Sequence, residues 1–401
     1  MISLAEARAI IARSVLPGRP APMPLAYTSG RVLREETRAD QDYPPFDRSA
    51  MDGYAVRSRK KGNAAERFRV IGEVRPGNTL DRALAEGECV RIFTGGVVPA
   101  EASQVVTQED VRREGEWIVL TRRSTATHIR RQGEDAKAGQ LLLPAGSRLR
   151  PSDTALLAQI GRTRPFVSRL PRVVHLVTGS ELVAPEQTPK PGEIRDSNSA
   201  LVSTLLRDAG ALCVWQERAR DELDVMTCKV GSLRPDTWDL LCISGGASVG
   251  DYDFGKQMLR ELGFTLHFEG VDLRPGKPLV FGTRRKKAAF VLPGNPVSHF
   301  VTFHVAVRVA LDRLVGLEPA WPLVEIEVAG APPASSDARE TYWPAHLHIL
   351  EGRLRVRPLQ WQSSGDLCGL VSANALIQLL PGTGPLNADA PVHCLLLDHS
   401  V

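Results

Sequence analysis

Long apolar runs are missing from this sequence. Across its 401 residues, no uncharged apolar stretch approaches the ~18 residues that a helix needs to cross a bilayer, so we expect no membrane span. The N-terminal stretch 1–15 carries Glu6, Arg8 and Arg13 among its apolar residues, which predicts an amphipathic helix rather than a signal sequence. The six cysteines include no C-x-x-C pair, which argues against a zinc ribbon and favours a reducing compartment. We therefore expect a cytoplasmic protein.

A strong charge of either sign is also missing. The formal net charge is +4, which predicts neither a nucleic-acid partner nor a polybasic membrane anchor. We interpret the basic run 284–287 as a solvated hairpin tip, with a weak phosphate contact as the less favoured alternative.

Several common enzyme signatures are absent as well. Neither a P-loop lysine motif nor a G-x-G-x-x-G fingerprint follows the first strand of the strand–helix region, which argues against a plain NTPase or a nicotinamide enzyme. No Ser-His-Asp arrangement stands out. His299 and His304 are five residues apart on an apolar helix, and we interpret them as packed histidines rather than metal ligands.

What the sequence does contain is enough chain for several domains, because 401 residues exceed one ordinary core. We predict an α/β multidomain protein. Residues 1–44 and 147–170 would form a helical, elongated linking domain, and residues 45–146 an inserted, mostly β domain. Residues 171–318 would form a central doubly wound α/β domain with a mainly parallel sheet, and residues 319–401 a C-terminal β-barrel.

Small residues and acids follow the predicted strands of the α/β domain. Ligands of doubly wound sheets lie off the carboxyl ends of the strands, where the loops 178–181, 244–253 and 293–298 are expected. Gly245 and Gly246 would let backbone N–H groups turn toward an anion, because no Cβ blocks the approach. The loop 293–298 also opens a helix, whose N-terminal N–H groups attract anions.

Charged residues complete this candidate site. Lys277 and Arg274 lie on a fourth loop and supply positive charge suited to a phosphate or an oxyanion. Glu181, Asp221 and Asp253 could share a Mg²⁺ ion with phosphate oxygens and water. Ordinary turn chemistry explains any single loop, but four such loops in one domain favour a ligand pocket.

The inserted β domain carries polar clusters of its own. Asp52 precedes Gly53 at a turn, and Thr94 leaves a strand into two glycines that form a second potential anion nest. Arg130 lies shortly before Asp135 in a run of paired arginines and acids, where a surface salt-bridge cluster is the simpler interpretation.

Together, these motifs resemble the molybdopterin molybdenumtransferase family (MoeA), which includes the E domain of gephyrin. The resemblance covers residues 44–315 in the family's order, while the first 40 residues and the C-terminal barrel match only in character. The segments that carry it are Phe46-Asp47, Ser49-Ala50-Met51-Asp52-Gly53-Tyr54-Ala55, Thr94-Gly95 with Pro99, Gly133-Glu134-Asp135, Thr178-Gly179-Ser180-Glu181-Leu182, Ser244-Gly245-Gly246 with Ser248-Val249-Gly250, Pro275-Gly276-Lys277-Pro278 and Leu292-Pro293-Gly294-Asn295-Pro296-Val297-Ser298.

The resemblance implies an elongated, four-domain homodimer. Its active cleft would lie between the α/β domain of one subunit and the inserted β domain of the other. The implied reaction inserts molybdenum from molybdate into adenylylated molybdopterin and releases AMP, with Mg²⁺ assisting. The implied partners are a second copy of the chain, a molybdopterin adenylyltransferase and apo-molybdoenzymes, with no nucleic acid and no membrane among them.

The resemblance also assigns roles to single residues. The catalytic residues would be Asp52, Thr94, Asp135, Glu181, Asp221, Asp253 and Lys277. Glu181, Asp221 and Asp253 would hold the metal. The cofactor-binding residues would be Arg130, Ser244, Gly245, Gly246, Ser248, Gly250, Arg274, Pro293, Gly294, Asn295, Pro296 and Ser298.

The chain departs from the family pattern at several positions. Arg48 and His128 stand where asparagine is usual, and Arg274 stands where lysine is common. Gly270 lies where a further lysine is expected, which removes a cation from the implied oxyanion site and motivates one alternative, a molybdopterin-binding scaffold without turnover. A second alternative is ATP-dependent molybdopterin adenylylation. That enzyme shares the α/β domain, but the inserted domain and the barrel argue against it.

Overall fold

A computed structural model describes residues 1–58, 66–246, 254–330 and 335–397. These residues form two compact units. The main unit contains residues 1–23, residues 28–34 and the chain from Phe166 onward, and the β unit contains residues 24–27 and 35–165. Within the described ranges, no helix combines the length and the apolar character that crossing a membrane requires.

The β unit is built around a six-stranded sheet. Across the sheet its strands run in the order Gln104–Thr107, Gly53–Val56, Glu88–Ile92, Arg67–Val74, Trp117–Leu120 and Val111–Glu114. Both faces are covered, because Ala55 and Val90 belong to one apolar cluster while Tyr54 and Cys89 belong to another. The mostly β prediction is confirmed.

Smaller elements complete the β unit. They are the helix Pro151–Gln159, the 3₁₀ turns Leu25–Tyr27 and Gln108–Asp110, and the short antiparallel pairs Arg48–Ser49 with Ile129–Arg130 and Thr37–Arg38 with Leu141–Leu143.

The main unit contains a second six-stranded sheet. Its strand order is Leu212–Ala219, Arg172–Thr178, Leu240–Ser244, Lys287–Leu292, Val280–Arg284 and Thr265–Phe268. The first four strands are parallel, and the other two are added in antiparallel fashion. Arg285 and Lys286 lie exposed at a hairpin turn, which confirms the predicted tip.

Helices cover both faces of this sheet. One face carries Leu4–Ser14, Asn198–Asp208 and a continuous helix in which the π-helical turn Phe303–Val307 joins Pro296–Thr302 to Arg308–Leu314. The other face carries Leu223–Gly231 and Phe254–Glu261. Because both faces are covered, the strand Leu240–Ser244 is buried along its whole length. The doubly wound, mainly parallel prediction is confirmed.

Five strands in the C-terminal part of the main unit close into the predicted barrel. They are Leu323–Val328, Glu340–Leu350, Arg353–Pro358, Ala375–Leu379 and Pro391–Leu396. The barrel closes because the long strand Glu340–Leu350 pairs on its two edges with Arg353–Pro358 and Ala375–Leu379. The same strand also pairs, at Glu340 and Thr341, with the short strand Leu273–Arg274 of the α/β region.

The remaining short elements of the main unit lie outside its two large sheets. They are the strand pairs Pro20–Pro22 with Phe166–Ser168 and Leu182–Val183 with Ile194–Arg195, and the 3₁₀ turns Pro235–Thr237 and Leu367–Leu370.

The two segments of the predicted linking domain contribute helices to different compact units. The helix Leu4–Ser14 belongs to the main unit, where Leu4, Ala7 and Ile11 are fully buried in the core beside the α/β sheet. The helix Pro151–Gln159 belongs to the β unit instead. The apolar face of the N-terminal helix is therefore buried against the α/β core, and all the predicted domain boundaries stay predictions.

Candidate active site

A pocket of about 970 Å³ lies in the main unit at the carboxyl ends of the parallel strands. This is the edge of a doubly wound sheet where ligands are expected to bind. Of the residues predicted for the site, the pocket is lined by Glu181, Asp221, Gly245, Gly246, Arg274, Lys277, Pro293, Gly294, Asn295, Pro296 and Ser298. Residues from four loops that are separated in the sequence therefore line one pocket.

Gly245 and Gly246 line the pocket where the strand Leu240–Ser244 ends. Both have positive φ, at 92° and 63°. A Cβ on Gly245 would lie 2.4 Å from the Thr178 carbonyl oxygen, so only glycine fits this close approach between neighbouring strand ends. The N–H of Gly245 donates to the Leu292 carbonyl at 3.2 Å, so this donor is engaged within the sheet edge.

Acidic side chains line one side of the pocket. Asp221 Oδ2 accepts a hydrogen bond from the Ser180 N–H at 3.3 Å, which ties the loops after two neighbouring strands together. The other oxygen, Oδ1, is buried without a hydrogen-bond partner among the described residues. Glu181 is exposed and lies on the same loop as Ser180. A buried, unpartnered carboxylate oxygen is the kind of donor that a divalent cation or a ligand N–H satisfies.

Cationic side chains line the pocket as well. Lys277 is exposed, and Arg274 is half-buried. Arg339, from the barrel strand region, also lines the pocket, and its guanidinium pairs with Asp337 at 2.5 Å. Arg274 lies 3.8 Å from the same carboxylate.

A loop of the barrel region supplies a further part of the lining. Trp361 and Ser364 both line the pocket, and the Trp361 ring centroid lies 5.7 Å from the Arg274 guanidinium carbon. Asn295 Nδ2 donates to Ser364 Oγ at 2.7 Å, and the Val297 N–H donates to the Ser364 carbonyl at 3.0 Å. The loop 362–365 is therefore part of the site.

The helix start at Pro296 differs from the expected open anion site. Pro296 has no N–H, and the N–H of Val297 is engaged by Ser364. The preceding loop is held from another side, because Asn198 Nδ2 donates to the Gly294 carbonyl at 2.7 Å. This loop acts mainly as a fixed wall rather than as a row of free donors.

Ser244 does not line the pocket. Its side chain is 1% exposed, and its hydroxyl lies 2.6 Å from His175 Nε2 within the core. Its side chain points into the core, while the next residue, Gly245, reaches the pocket, and the predicted contact of Ser244 with the cofactor stays a prediction.

Three predicted residues, Ser248, Gly250 and Asp253, lie outside the described residues. The predicted metal trio therefore reduces to Glu181 and Asp221 within the described chain. Among those residues, no group of three or more His, Cys, Asp or Glu side chains is placed to hold a metal ion.

The polar residues of the β unit have internal partners. Asp52 Oδ1 accepts hydrogen bonds from both the N–H and the hydroxyl of Thr94, each at 2.8 Å. These bonds, first that of the N–H and then that of the hydroxyl, hold the pKa of Asp52 below its ordinary value. Gly95 N–H donates to the Ser49 carbonyl and Gly96 N–H to the Phe93 carbonyl, each at 2.8 Å. The predicted anion nest is therefore wrong, because its donors are already engaged.

Arg130 and Asp135 form part of a surface ion-pair cluster in the β unit. The Arg130 guanidinium pairs with Asp135 and, at 3.2 Å, with Glu134. Arg48, one of the departures from the family pattern, lies 3.9 Å from Asp135. The simpler interpretation of this run, a solvated salt-bridge cluster, describes the observed contacts.

Gly270, the other departure of interest, is buried and does not line the pocket. A Cβ there would lie 3.4 Å from Met1 Cγ and 3.6 Å from the Lys277 carbonyl oxygen. The cation that Gly270 lacks is thus not replaced locally, but Arg339 brings a further guanidinium to the pocket from the barrel. No short-range pattern around Arg339, Trp361 or Asn198 points to a site, which is why sequence reasoning missed all three.

Comparison with known proteins identifies this architecture. Family models match residues 2–161 (MoeA N-terminal region, domain I and II), 175–313 (probable molybdopterin binding domain) and 328–397 (MoeA C-terminal region, domain IV). A molybdopterin molybdenumtransferase from Nostoc sp. is 35% identical over 361 residues, covering 88% of this chain and 83% of that protein. One from Bacillus subtilis is 32% identical over 376 residues, covering 92% and 87%.

Solved structures agree with these relatives. A crystal structure of a molybdopterin biosynthesis MoeA protein from Pyrococcus horikoshii is 28% identical, with a TM-score of 0.84, and covers 99% of this chain and 100% of that one. The three matched regions and the pocket thus define a MoeA-type multidomain protein. The chain belongs to the molybdopterin molybdenumtransferase family, whose curated members are transferases.

Proposed function

We propose that this protein catalyses the insertion of molybdate into adenylylated molybdopterin with release of AMP, as a step of molybdenum cofactor biosynthesis. The observation that carries the proposal is the composition of one pocket. Carboxylates from Glu181 and Asp221 and cations from Arg274 and Lys277 line the same cavity at the ligand-binding edge of the sheet.

The cations have a direct chemical use in this reaction. Molybdate and the phosphates of the substrate are oxyanions, and charged N–H donors form short, strong hydrogen bonds to such groups. Arg274, Lys277 and Arg339 would bind these oxygens from the side of the pocket that the barrel completes. The guanidiniums offer planar, paired donors, while Lys277 offers a compact charge that can follow a moving oxygen.

The carboxylates fit a magnesium ion. Mg²⁺ prefers oxygen ligands and keeps water molecules while it bridges one or two carboxylates and substrate phosphates. Asp221, with its buried and unpartnered Oδ1, and Glu181 would hold the ion. We propose Asp253 as the third ligand. Bound there, the ion would polarise a phosphate oxygen of the substrate.

A reconstituted assay tests the proposal. Purified protein is incubated with adenylylated molybdopterin, molybdate and Mg²⁺, and AMP is quantified by chromatography while an apo-molybdoenzyme reports active cofactor. We expect AMP and active cofactor to form together, and both to stop when a chelator removes Mg²⁺. Substrate binding without AMP release would favour the scaffold alternative, and consumption of added ATP would favour adenylylation.

We also propose a homodimer in which the β unit of one subunit completes the pocket of the other, with Asp52, Thr94, Arg130 and Asp135 on the facing side. Docking with an adenylyltransferase and with apo-molybdoenzymes belongs to the same proposal. A subunit-mixing experiment tests the shared site. An Asp52→Ala variant and a Lys277→Ala variant, each inactive, are unfolded and refolded together.

Mixing should restore activity because half of the dimers are mixed and each mixed dimer has one intact site of two, so about a quarter of wild-type activity is expected. Each variant refolded with itself is the control. If mixing restores nothing while the two variants do associate, the pocket is completed within one chain and the shared-site proposal is abandoned.

A further inference from the structure

A network of buried and half-buried polar side chains adjoins residues that line the pocket. At its centre is His175, whose side chain is fully buried in the strand Arg172–Thr178. Its Nε2 lies 2.6 Å from Ser244 Oγ, and its Nδ1 lies 2.8 Å from Gln216 Nε2. Apart from Thr178 at its end, the other buried members of this strand are apolar, so an aliphatic side chain at position 175 would avoid the cost of burying an imidazole.

The contacts fix the tautomer of His175. Gln216 Oε1 accepts from the Ser203 hydroxyl at 3.2 Å, and Gln216 Nε2 donates to the Ser199 carbonyl at 3.0 Å, which orients the amide. An amide nitrogen only donates, so His175 Nδ1 is the acceptor and Nε2 carries the proton. The Nε2–H therefore donates to Ser244 Oγ. Burial, and then the neighbouring His299, hold the pKa of His175 well below its ordinary value, which agrees with a neutral ring.

This network reaches three of the segments that line the pocket. Ser244 immediately precedes Gly245. Ser199, which is bonded to Gln216, also donates through its N–H and its hydroxyl to the carboxylate of Asp196, a residue of the pocket lining.

The third segment is the loop that begins at Pro293. The His299 ring centroid lies 6.4 Å from that of His175, in an edge-on arrangement. His299 Nδ1 lies 3.3 Å from the Pro293 carbonyl oxygen, and Pro293 lines the pocket. The His175 imidazole thus contacts Ser244, Gln216 and His299, which connect it to three segments of the pocket lining.

We infer that His175 is a positioning residue for the pocket: through Ser244, Gln216 and His299 it sets the relative placement of the glycine loop, the start of the helix Asn198–Asp208 and the Pro293 loop. The inference rests on the proposed function for its kinetic readout only. Both ring nitrogens of His175 have hydrogen-bond partners, which favours one arrangement of the groups around the ring, and removing the ring leaves Ser244 and Gln216 without these bonds.

Two variants separate the hydrogen-bonding role from mere packing. His175→Gln keeps an acceptor and a donor on one side chain, whereas His175→Leu removes both. We expect His175→Leu to lower kcat for AMP release by about tenfold or more, because small misplacements of binding groups cost large factors in rate. We expect His175→Gln to stay within about threefold of the wild type, because it preserves the network's donor and acceptor.

Cys242→Ala is the matched control. Cys242 pairs with His175 in register and is equally buried, but belongs to no part of the network. It should lower the unfolding midpoint and leave kcat unchanged. If folded His175→Leu retains wild-type kcat, or if His175→Gln fails as badly as His175→Leu, the inference is overturned.

A spectroscopic measurement keeps the test independent of turnover. In protein labelled with ¹⁵N-histidine, His175 should give the Nε2–H tautomer, identified because its signals vanish in His175→Gln. Ser244→Ala should shift its Nε2 signal, and adding AMP or molybdate should shift it in the wild type. A charged ring at neutral pH, or a signal indifferent to Ser244→Ala, would refute the network even if the proposed reaction stands. These shifts in a protein that releases no AMP would instead refute the proposed reaction alone.

Discussion

The acids of the pocket and the acids of the β unit resemble one another in the sequence but differ in their partners. In the pocket, one buried oxygen of Asp221 has no partner within the part of the chain that the structure describes, and Glu181 is exposed at the cavity. In the β unit, Asp52 is held by two hydrogen bonds from Thr94, and Asp135 is paired with Arg130 and Arg48. Available bonding capacity, rather than the presence of a carboxylate, marks the residues that can meet a ligand.

Asp47 illustrates the same difference. Burial raises its pKa, but the Gln132 N–H and the Arg131 guanidinium outweigh this, so the pKa of Asp47 lies below its ordinary value. These donors lie at 2.8 Å and 2.6 Å and leave the carboxylate committed to the loop that it stabilises. Such acids stabilise loops of the β unit, and a substrate could bind only to the carboxylate lone pairs that these hydrogen bonds leave open.

The largest effect is expected from Lys277→Met. Removing one charged donor to a developing or transferred oxyanion costs about 10²–10³ in turnover. Because Lys277 is exposed, the free energy of unfolding should change by less than about 0.5 kcal/mol. Turnover is measured as AMP release and stability by urea unfolding.

Lys286→Met is the control for the Lys277 substitution, since Lys286 is an exposed lysine at the hairpin turn. The same loss of charge there should leave turnover unchanged. Equal effects of the two substitutions would mean that general charge, and not the position of Lys277 in the pocket, governs anion binding.

An intermediate effect is expected from pH, through His299. Burial lowers its pKa to about 4, from an ordinary value of 6.5, while a hydrogen bond to the Pro293 carbonyl partly opposes the shift. Because the folded pKa is depressed, the stabilising contribution is present above pH 6.5 and is lost as pH falls from 6.5 toward 4. The loss amounts to about 3 kcal/mol over that window, at 1.36 kcal/mol per pH unit.

The pH effect is measured as the difference in unfolding free energy between the wild type and His299→Leu, from about pH 7 to about pH 4. The difference should shrink or reverse as the pH falls, because only in the wild type does this imidazole bind a proton on unfolding, which favours the unfolded state at low pH. His393→Leu, at an exposed position of the barrel, is the comparison. A pH-independent difference would show that His299 is charged or solvated in the folded protein.

The smallest effect is expected from Asp135→Asn. Ion pairs between exposed side chains contribute about 0–1 kcal/mol, so thermal unfolding should move little. We expect AMP release to fall by less than about tenfold, because the arginines around Asp135 remain. A larger loss in turnover with unchanged stability would show that Asp135 acts on the substrate. That result would strengthen the shared-site proposal and weaken the distinction between the acids of the pocket and those of the β unit.

The sequence predicted the parts of the molecule that depend on local patterns. The loop predicted to begin at Ser244 follows the observed strand Leu240–Ser244, because an apolar run followed by two glycines is typical of a buried strand that ends in a turn. Lys277, Glu181 and Asp221 were brought to one site because the ends of parallel strands meet at one sheet edge. The strand Val111–Glu114 was not predicted, since Val-Arg-Arg-Glu shows no apolar alternation.

The remaining features depend on contacts between distant parts of the chain. Arg339 reaches the pocket only because the barrel closes beside the α/β sheet, and nothing in its own neighbourhood marks it. The contact that the Ser244 hydroxyl makes in the core was not predicted, because its partner, His175, lies 69 positions away. Hydrophobic periodicity predicts which face of a helix or strand is buried, but it does not identify the residues of other elements that contact that face.

The short strand Leu273–Arg274 has a practical consequence. Its backbone pairs with Glu340 and Thr341, so the position of Arg274 in the pocket depends on hydrogen bonds to a strand of the C-terminal barrel. A shortened version of the protein that ends after the α/β region would therefore keep the α/β sheet but lose the strand pairing of Leu273–Arg274. A transplanted version of the pocket must therefore include the C-terminal barrel, residues 319–401, as well as the α/β region.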